Sequence, residues 1–254
     1  LQSVEELLLN LILQRMIFLV KHLLFDLDGT LLPIDLDFFM KHYINALSTH
    51  FPEIPGDKFG EYLIASTMMM VKSLDPHLTN EEVFWSDFTS RITASRADLE
   101  PTIKYFYDQE FPKLKKHLTP TETPRQVLDY ALQTGLSVTL ATNPIFPRQA
   151  IVERLAWINC DEIPFKLITA FEDMHFCKPN RQYYEEIIAR LKINAEECMM
   201  IGNDMEEDLV AAELGMKTCL LTDHLISRGK IGIKPDFQCS LKELPAVIKE
   251  ITGN

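Results

Sequence analysis

The segment LLFDLDGTLL, Leu23 to Leu32, constrains this chain more than any other part of it. A short apolar run, the pattern of a buried β-strand, ends in two carboxylates, Asp26 and Asp28, spaced two residues apart. Gly29 then permits a tight turn and Thr30 adds a hydroxyl. At average residue frequencies, a D-x-D-G-T string followed by an aliphatic residue arises by chance in such a chain on the order of once in a thousand.

Two further apolar β runs end in polar residues. Val138 to Ala141 leads into Thr142 and its neighbour Asn143, and Met199 to Ile201 leads into Gly202, Asn203 and Asp204. Helical segments of about ten residues alternate with these runs: a helix capped by Thr123 with Pro124 at its first position and Gly135 at its end, then Arg148 to Leu155, Arg181 to Leu191, Glu207 to Leu214, and one starting near Leu241. Lys166 to Thr169 and Thr218 to Leu221 read as additional strands. Strands alternating with helices imply βαβ units and a parallel sheet. Ligands bind outside the carboxyl ends of such strands, so Asp26, Thr142 and Asn203 or Asp204 can share one site. Taken singly, each would be no more than a strand end or helix cap.

From Asp35 to His117 the pattern is helical throughout, with Thr79 to Glu82 opening one helix and Val83, Phe84, Phe88 and Ile92 following at helical spacing. Asp35 and Asp37 are expected to cap the next helix, and Met68 to Met70 to pack. Residues 1–15 read as a helical extension, residues 16–34 with 118–254 as an α/β core, and residues 35–117 as a separate helical unit. The formal charge of −12 disfavours nucleic acid and anionic membranes as partners, since both are bound by clustered Lys and Arg. Leu7 to Phe25 is apolar, but Arg15, Lys21 and His22 interrupt it, and no membrane span or signal peptide is expected. Cys160, Cys177, Cys198, Cys219 and Cys239 stand 17 to 21 residues apart, an odd and scattered set that points to a reducing compartment, the cytoplasm.

The residue pattern resembles the haloacid dehalogenase superfamily over about residues 17–245. Asp26 and Asp28 resemble its first motif, Thr142 its second, Lys178 before Pro179 its third, and Gly202-Asn203-Asp204 with Asp208 its fourth. The resemblance implies a doubly wound, Rossmann-like parallel-sheet core with a smaller all-helical cap, a Mg²⁺ cofactor and, most often, a phosphatase acting on a small phosphorylated metabolite. A phosphomutase of the same family and a non-catalytic phosphate-binding module are the alternatives.

The residue types suit that chemistry. A carboxylate at Asp26 can attack phosphorus and form an acyl phosphate, dividing hydrolysis into two easier steps. Asp28 can protonate the leaving group and then deprotonate water; members of the family it resembles that cleave carbon–halogen bonds lack an acid at this position, so the resemblance implies phosphate esters over haloacids. Thr142, Asn143 and Lys178 are the candidates for holding phosphoryl oxygens. Asp26, Asp28, Asn203, Asp204 and Asp208 are the metal candidates. Strand register favours Asn203 as direct ligand, whereas the preference of Mg²⁺ for carboxylate favours Asp204, and the expectation rests on Asn203.

Overall fold

The computed structural model describes residues 20–119, 121–229 and 232–253, and the helix expected within residues 1–15 lies outside them. Five strands form one parallel sheet: β1 (His22–Phe25), β2 (Ser137–Leu140), β3 (Cys198–Gly202), β4 (Lys217–Leu221) and β5 (Phe237–Cys239), in the order β2-β1-β3-β4-β5. β1 is an interior strand, next to the edge strand β2, with Phe25 opposite Leu140 on one side and Ile201 on the other. Alternate residues feed opposite faces of the sheet. Leu23, Phe25, Met199 and Ile201 join the larger apolar cluster, while Leu24, Cys198 and Met200 join the smaller. Helices therefore cover both faces. On the first lie α5 (Thr123–Gln133), α6 (Arg148–Trp157) and α9 (Leu244–Thr252); on the second lies α7 (Arg181–Leu191).

Between β1 and β2 the chain is helical, as its texture implies: α1 (Leu36–Ser48), α2 (Gly56–Lys72), α3 (Asn80–Ile92) and α4 (Arg96–Tyr105), followed by a π turn over Phe106–Glu110 and a 3-10 turn over Phe111–His117. Reciprocal capping boxes, Thr79 with Glu82 and Ser95 with Asp98, start α3 and α4. Asp35 caps α1 by accepting the Phe38 N–H. Buried Asn80 ties this block to the core: its backbone N–H donates to the Met174 carbonyl at 2.7 Å and its side chain to the Phe176 carbonyl at 3.3 Å. Of the methionine run, Met70 is buried, while Met68 and Met69 are about half exposed.

Several boundaries differ from the sequence reading. The cap of α5 is Glu122, so Thr123 and Pro124 both belong to the first turn, where the missing proline N–H costs nothing. The helix expected from Glu207 starts earlier, as α8 (Met205–Asp208), because Asp204 caps it, and it tightens to a 3-10 turn over Leu209–Leu214. Lys166 to Thr169 is not a full strand. It meets edge strand β2 in a single bridge, Ile168 with Leu140, before the turn at Ala170–Asp173 carries the chain away. All five cysteines are free thiols, and burial pushes the Cys177 thiol up, away from a reactive thiolate. Among the described residues no helix is long and apolar enough to cross a membrane.

Candidate active site

The parallel registers bring the three strand ends together. The Asp26 N–H donates to the Ile201 carbonyl at 2.9 Å and the Ala141 N–H to the Phe25 carbonyl at 2.7 Å, which places Asp26 level with Ala141 and Gly202. Thr142 and Asn203 stand one residue further along their chains. Lys178 reaches this point from the loop before α7. Its fully buried ammonium donates to Asp26 Oδ1 at 2.9 Å and to Asp208 Oδ1 at 2.7 Å, and lies over the Tyr183 ring. Burial pushes the Asp26 carboxyl up to about 7, with Lys178 opposing and Asp208 and Asp28 adding to the rise. Burial alone would lower Lys178, but Asp208 and Asp26 hold its ammonium well above the ordinary lysine range.

Two glycines make this geometry possible. A Cβ on Gly202 would sit 1.9 Å from Asp208 Oδ2, so only glycine lets that carboxylate fold back over the end of β3. Gly29 turns at φ +78°, and a Cβ there would meet Asn203 Nδ2 at 2.3 Å. Asn203 is thereby packed against the loop after β1. Its Oδ1 accepts from the Thr30 hydroxyl at 3.0 Å and its Nδ2 donates to the His224 carbonyl at 2.6 Å.

Asp204, the competing metal candidate, is otherwise engaged. Its Oδ1 accepts the N–H groups of Glu206 and Glu207, capping α8, and its carboxylate pairs with Arg228 at 2.7 Å. Asp208 Oδ2 accepts the Asp204 N–H at 2.9 Å. The Thr142 hydroxyl makes no hydrogen bond among the described residues, whereas its carbonyl accepts from Thr169 and Tyr183. The Asn143 side chain accepts from the Lys178 backbone N–H at 3.2 Å and donates to the Lys178 carbonyl at 3.4 Å and to Glu207 Oε2 at 3.0 Å. Asp28 ion-pairs through Oδ2 with Arg154 of α6, and its Oδ1 is buried without a partner.

Sequence reasoning missed Arg154, Arg228, Tyr183 and Glu207. A signal existed for Arg154, which follows Ala150 and Ile151 at helical spacing on the core-facing stripe of α6, where a charge has to be paired. Glu207 carried none. Burial raises its carboxyl to about 8. A carboxyl raised on folding stabilises the protein only while protonated, so its contribution disappears as pH rises from the unfolded value near 4.5 through 8. Glu207→Gln, which can still accept from Asn143, should therefore melt above wild type at pH 9, by on the order of 3 kcal/mol, and match it near pH 4. Thermal melts in EDTA across that range check it, and parallel curves would refute the assignment.

A polar cleft of about 340 Å³ opens beside these groups, lined by Asp28, Asp35, Asp37, Asn203 and Arg228 among others. A larger, mostly apolar cavity of about 710 Å³ lies where α1 to α4 meet Phe146 and Phe171, and no candidate catalytic side chain lines it. Of the candidate site residues, Asp28 and Asn203 line the smaller cleft, whereas Asp26, Thr142 and Lys178 do not.

The haloacid dehalogenase-like hydrolase family pattern matches residues 23–221. The pyrophosphatase PpaX of Bacillus cereus (strain G9842) is 23% identical over 220 residues, covering 86% of this chain and 91% of the relative. Among solved structures, the magnesium-bound putative HAD-hydrolase YfnB of Bacillus subtilis superposes with a TM-score of 0.54 at 22% identity, over 90% of this chain and 98% of that one. The L-2-haloacid dehalogenase of Xanthobacter autotrophicus superposes with a TM-score of 0.56 at 13% identity, over 91% and 98%. With the matched region spanning most of the sequence, both sides of the helical insertion and all four strand-end or loop motifs, the chain belongs to the haloacid dehalogenase-like hydrolases.

Proposed function

We propose that this protein is a Mg²⁺-dependent phosphatase of a small phosphorylated metabolite, working through a phosphoaspartate on Asp26. The observation that carries the reading is the state of Asp26. One oxygen is fixed by Lys178, the other accepts no hydrogen bond among the described residues, and the unengaged Thr142 hydroxyl stands at the neighbouring strand end. Asp26 Oδ2 attacks phosphorus, Lys178 and Thr142 steady the phosphoryl oxygens, and Asp28 handles the proton of the leaving group and then of water. The pyrophosphatase relative is consistent with phosphoryl chemistry on a small substrate.

The residues fit a hard divalent cation. Five carboxylates (Asp26, Asp28, Asp204, Glu206, Asp208) share three cationic heads, those of Lys178, Arg154 and Arg228. No three His, Cys, Asp or Glu among the described residues form a ready cage. Mg²⁺ does not require one, since it keeps several waters and uses one or two carboxylates with the substrate phosphate. Asp26, the Asp28 backbone carbonyl and the Asn203 amide oxygen would hold it, with Asp208 beside them, and bound there it neutralises charge on carboxylate and phosphate. Asp204 is spent on α8 and Arg228 and is not proposed as a ligand. Asn203→Ala should then raise the Mg²⁺ concentration needed for half-maximal activity at least tenfold, and Asp204→Ala less. The reverse order in a Mg²⁺ titration would move the ligand to Asp204.

The phosphatase reading is tested by trapping the intermediate. Asp28→Asn, incubated with an aryl phosphate labelled in its phosphoryl group, should accumulate label on Asp26, because a good leaving group departs without acid while hydrolysis still needs a base. Absence of any labelled protein at any quench time, with the wild type active, rules out the covalent route.

A further inference from the structure

The cavity between the helical insertion and the core plays no part in the reaction proposed above. Its volume of about 710 Å³ falls in the range of small-molecule sites, whereas a packed interior leaves few voids larger than a water molecule. Ile64 and Met68 of α2 line it and are about half exposed, so it reaches the surface there.

Two features of the lining specify a guest. The first is aromatic surface: Tyr43, Phe84, Trp85, Phe88, Phe146 and Phe171 contribute to it, and the electron-rich faces of such rings attract cations. Trp85 already takes one, with the Arg96 guanidinium 5.1 Å from its ring centroid. The second is a carboxylate without a counter-charge. Both lining cations are engaged, Arg96 with Glu81 and Glu100, and Lys104 with Asp108. Glu172, half-buried in the turn Ala170–Asp173, has no ion pair among the described residues. Both its oxygens accept the Arg148 backbone N–H at 3.0 Å, while the Arg148 guanidinium pairs with Asp173. A carboxylate has more acceptor sites than one N–H fills. Burial pushes the Glu172 carboxyl up; backbone N–H groups oppose this, and Glu81 and Asp173 add to the rise.

We infer that this cavity binds a small organic cation, an alkyl- or arylammonium whose apolar body packs on the rings and whose charge lies beside Glu172. The inference goes beyond the phosphatase reading and does not depend on it. A neutral guest would leave the carboxylate uncompensated in an apolar setting, and an anion would be repelled by Glu172 and Glu81 together. A bare metal ion suits the wall poorly, because ring faces cannot replace the oxygen ligands that hard cations require. An organic cation matches both halves of the lining at once, since its charge is spread over carbon and carries little hydration to lose.

The test follows the indole N–H signals of the two tryptophans by NMR on the isotope-labelled full chain, in EDTA and without substrate. Benzyltrimethylammonium should shift the Trp85 signal saturably and leave that of Trp157, which does not line the cavity, in place. Phenylacetate, similar in size and opposite in charge, should bind roughly tenfold or more weakly. Glu172→Gln, which can still accept the Arg148 N–H, should weaken the cation by about tenfold and leave the binding of neutral benzyl alcohol unchanged. Phe84→Leu keeps the wall apolar but removes a ring face, and should cost the cation more than the alcohol. Equal affinity for cation and anion would overturn the inference, as would a Glu172→Gln variant that binds the cation like wild type. A wild type in which no probe shifts Trp85 would overturn it too. The cation and anion are compared on the wild type, so the inference can fail even if Glu172→Gln does not fold.

Discussion

Asp26→Asn should reduce turnover of any phosphate ester by on the order of 10⁴-fold or more while leaving the protein folded. The amide preserves the shape of the side chain and can still accept from Lys178, but it has no anionic oxygen with which to attack phosphorus. The structural cost should be small, because Asp208 remains to neutralise the buried ammonium and the carboxyl being removed is one that burial already disfavours in its charged form. Steady-state assay beside a thermal melt checks both halves. A folded variant that retains a tenth of wild-type activity would exclude Asp26 as nucleophile.

Lys178→Met has the opposite balance. It should damage fold and reaction together. Removing the ammonium leaves Asp26 and Asp208 buried without their shared counter-charge, and breaking a buried pair by deleting one partner costs roughly 3 to 5 kcal/mol. At this chain length that corresponds to a fall in Tm of about 10 °C. The deficit should shrink as pH falls and the stranded carboxyls take up protons, and Lys178→Met with Asp208→Asn should recover part of the lost stability. Urea titrations at pH 5 and 8, in EDTA, would reveal both effects. A pH-independent deficit that the second substitution does not relieve would mean that lost packing, not stranded charge, is the cause.

The contrast between what could and could not be read in the sequence follows from how each feature is encoded. β1 and its two acids are legible because a buried parallel strand is a continuous apolar run and its chemistry follows within three residues. The helical insertion is legible through capping and periodicity, down to the Thr79 to Glu82 box. β5 is not: its three residues, Phe237 to Cys239, form a part-exposed edge strand too short for any periodicity to register. The choice between Asn203 and Asp204 is equally hidden, since it turns on Arg228, a residue 24 positions further on that meets the Asp204 carboxylate only after β4 has been laid down. Arg154 lies 126 residues from Asp28, and no local pattern connects them.

Gly202 has a bearing on how activity should be inferred across related chains. A single methyl group at this position overlaps the Asp208 carboxylate, so Gly202→Ala must displace that side chain or the strand end beneath it, although every acid, hydroxyl and amine of the site stays in the sequence. A catalogue of reactive side chains would score such a homologue as intact. The space left by one glycine hydrogen is thus as much a part of this site as the functional groups around it, because the Asp208 carboxylate occupies it.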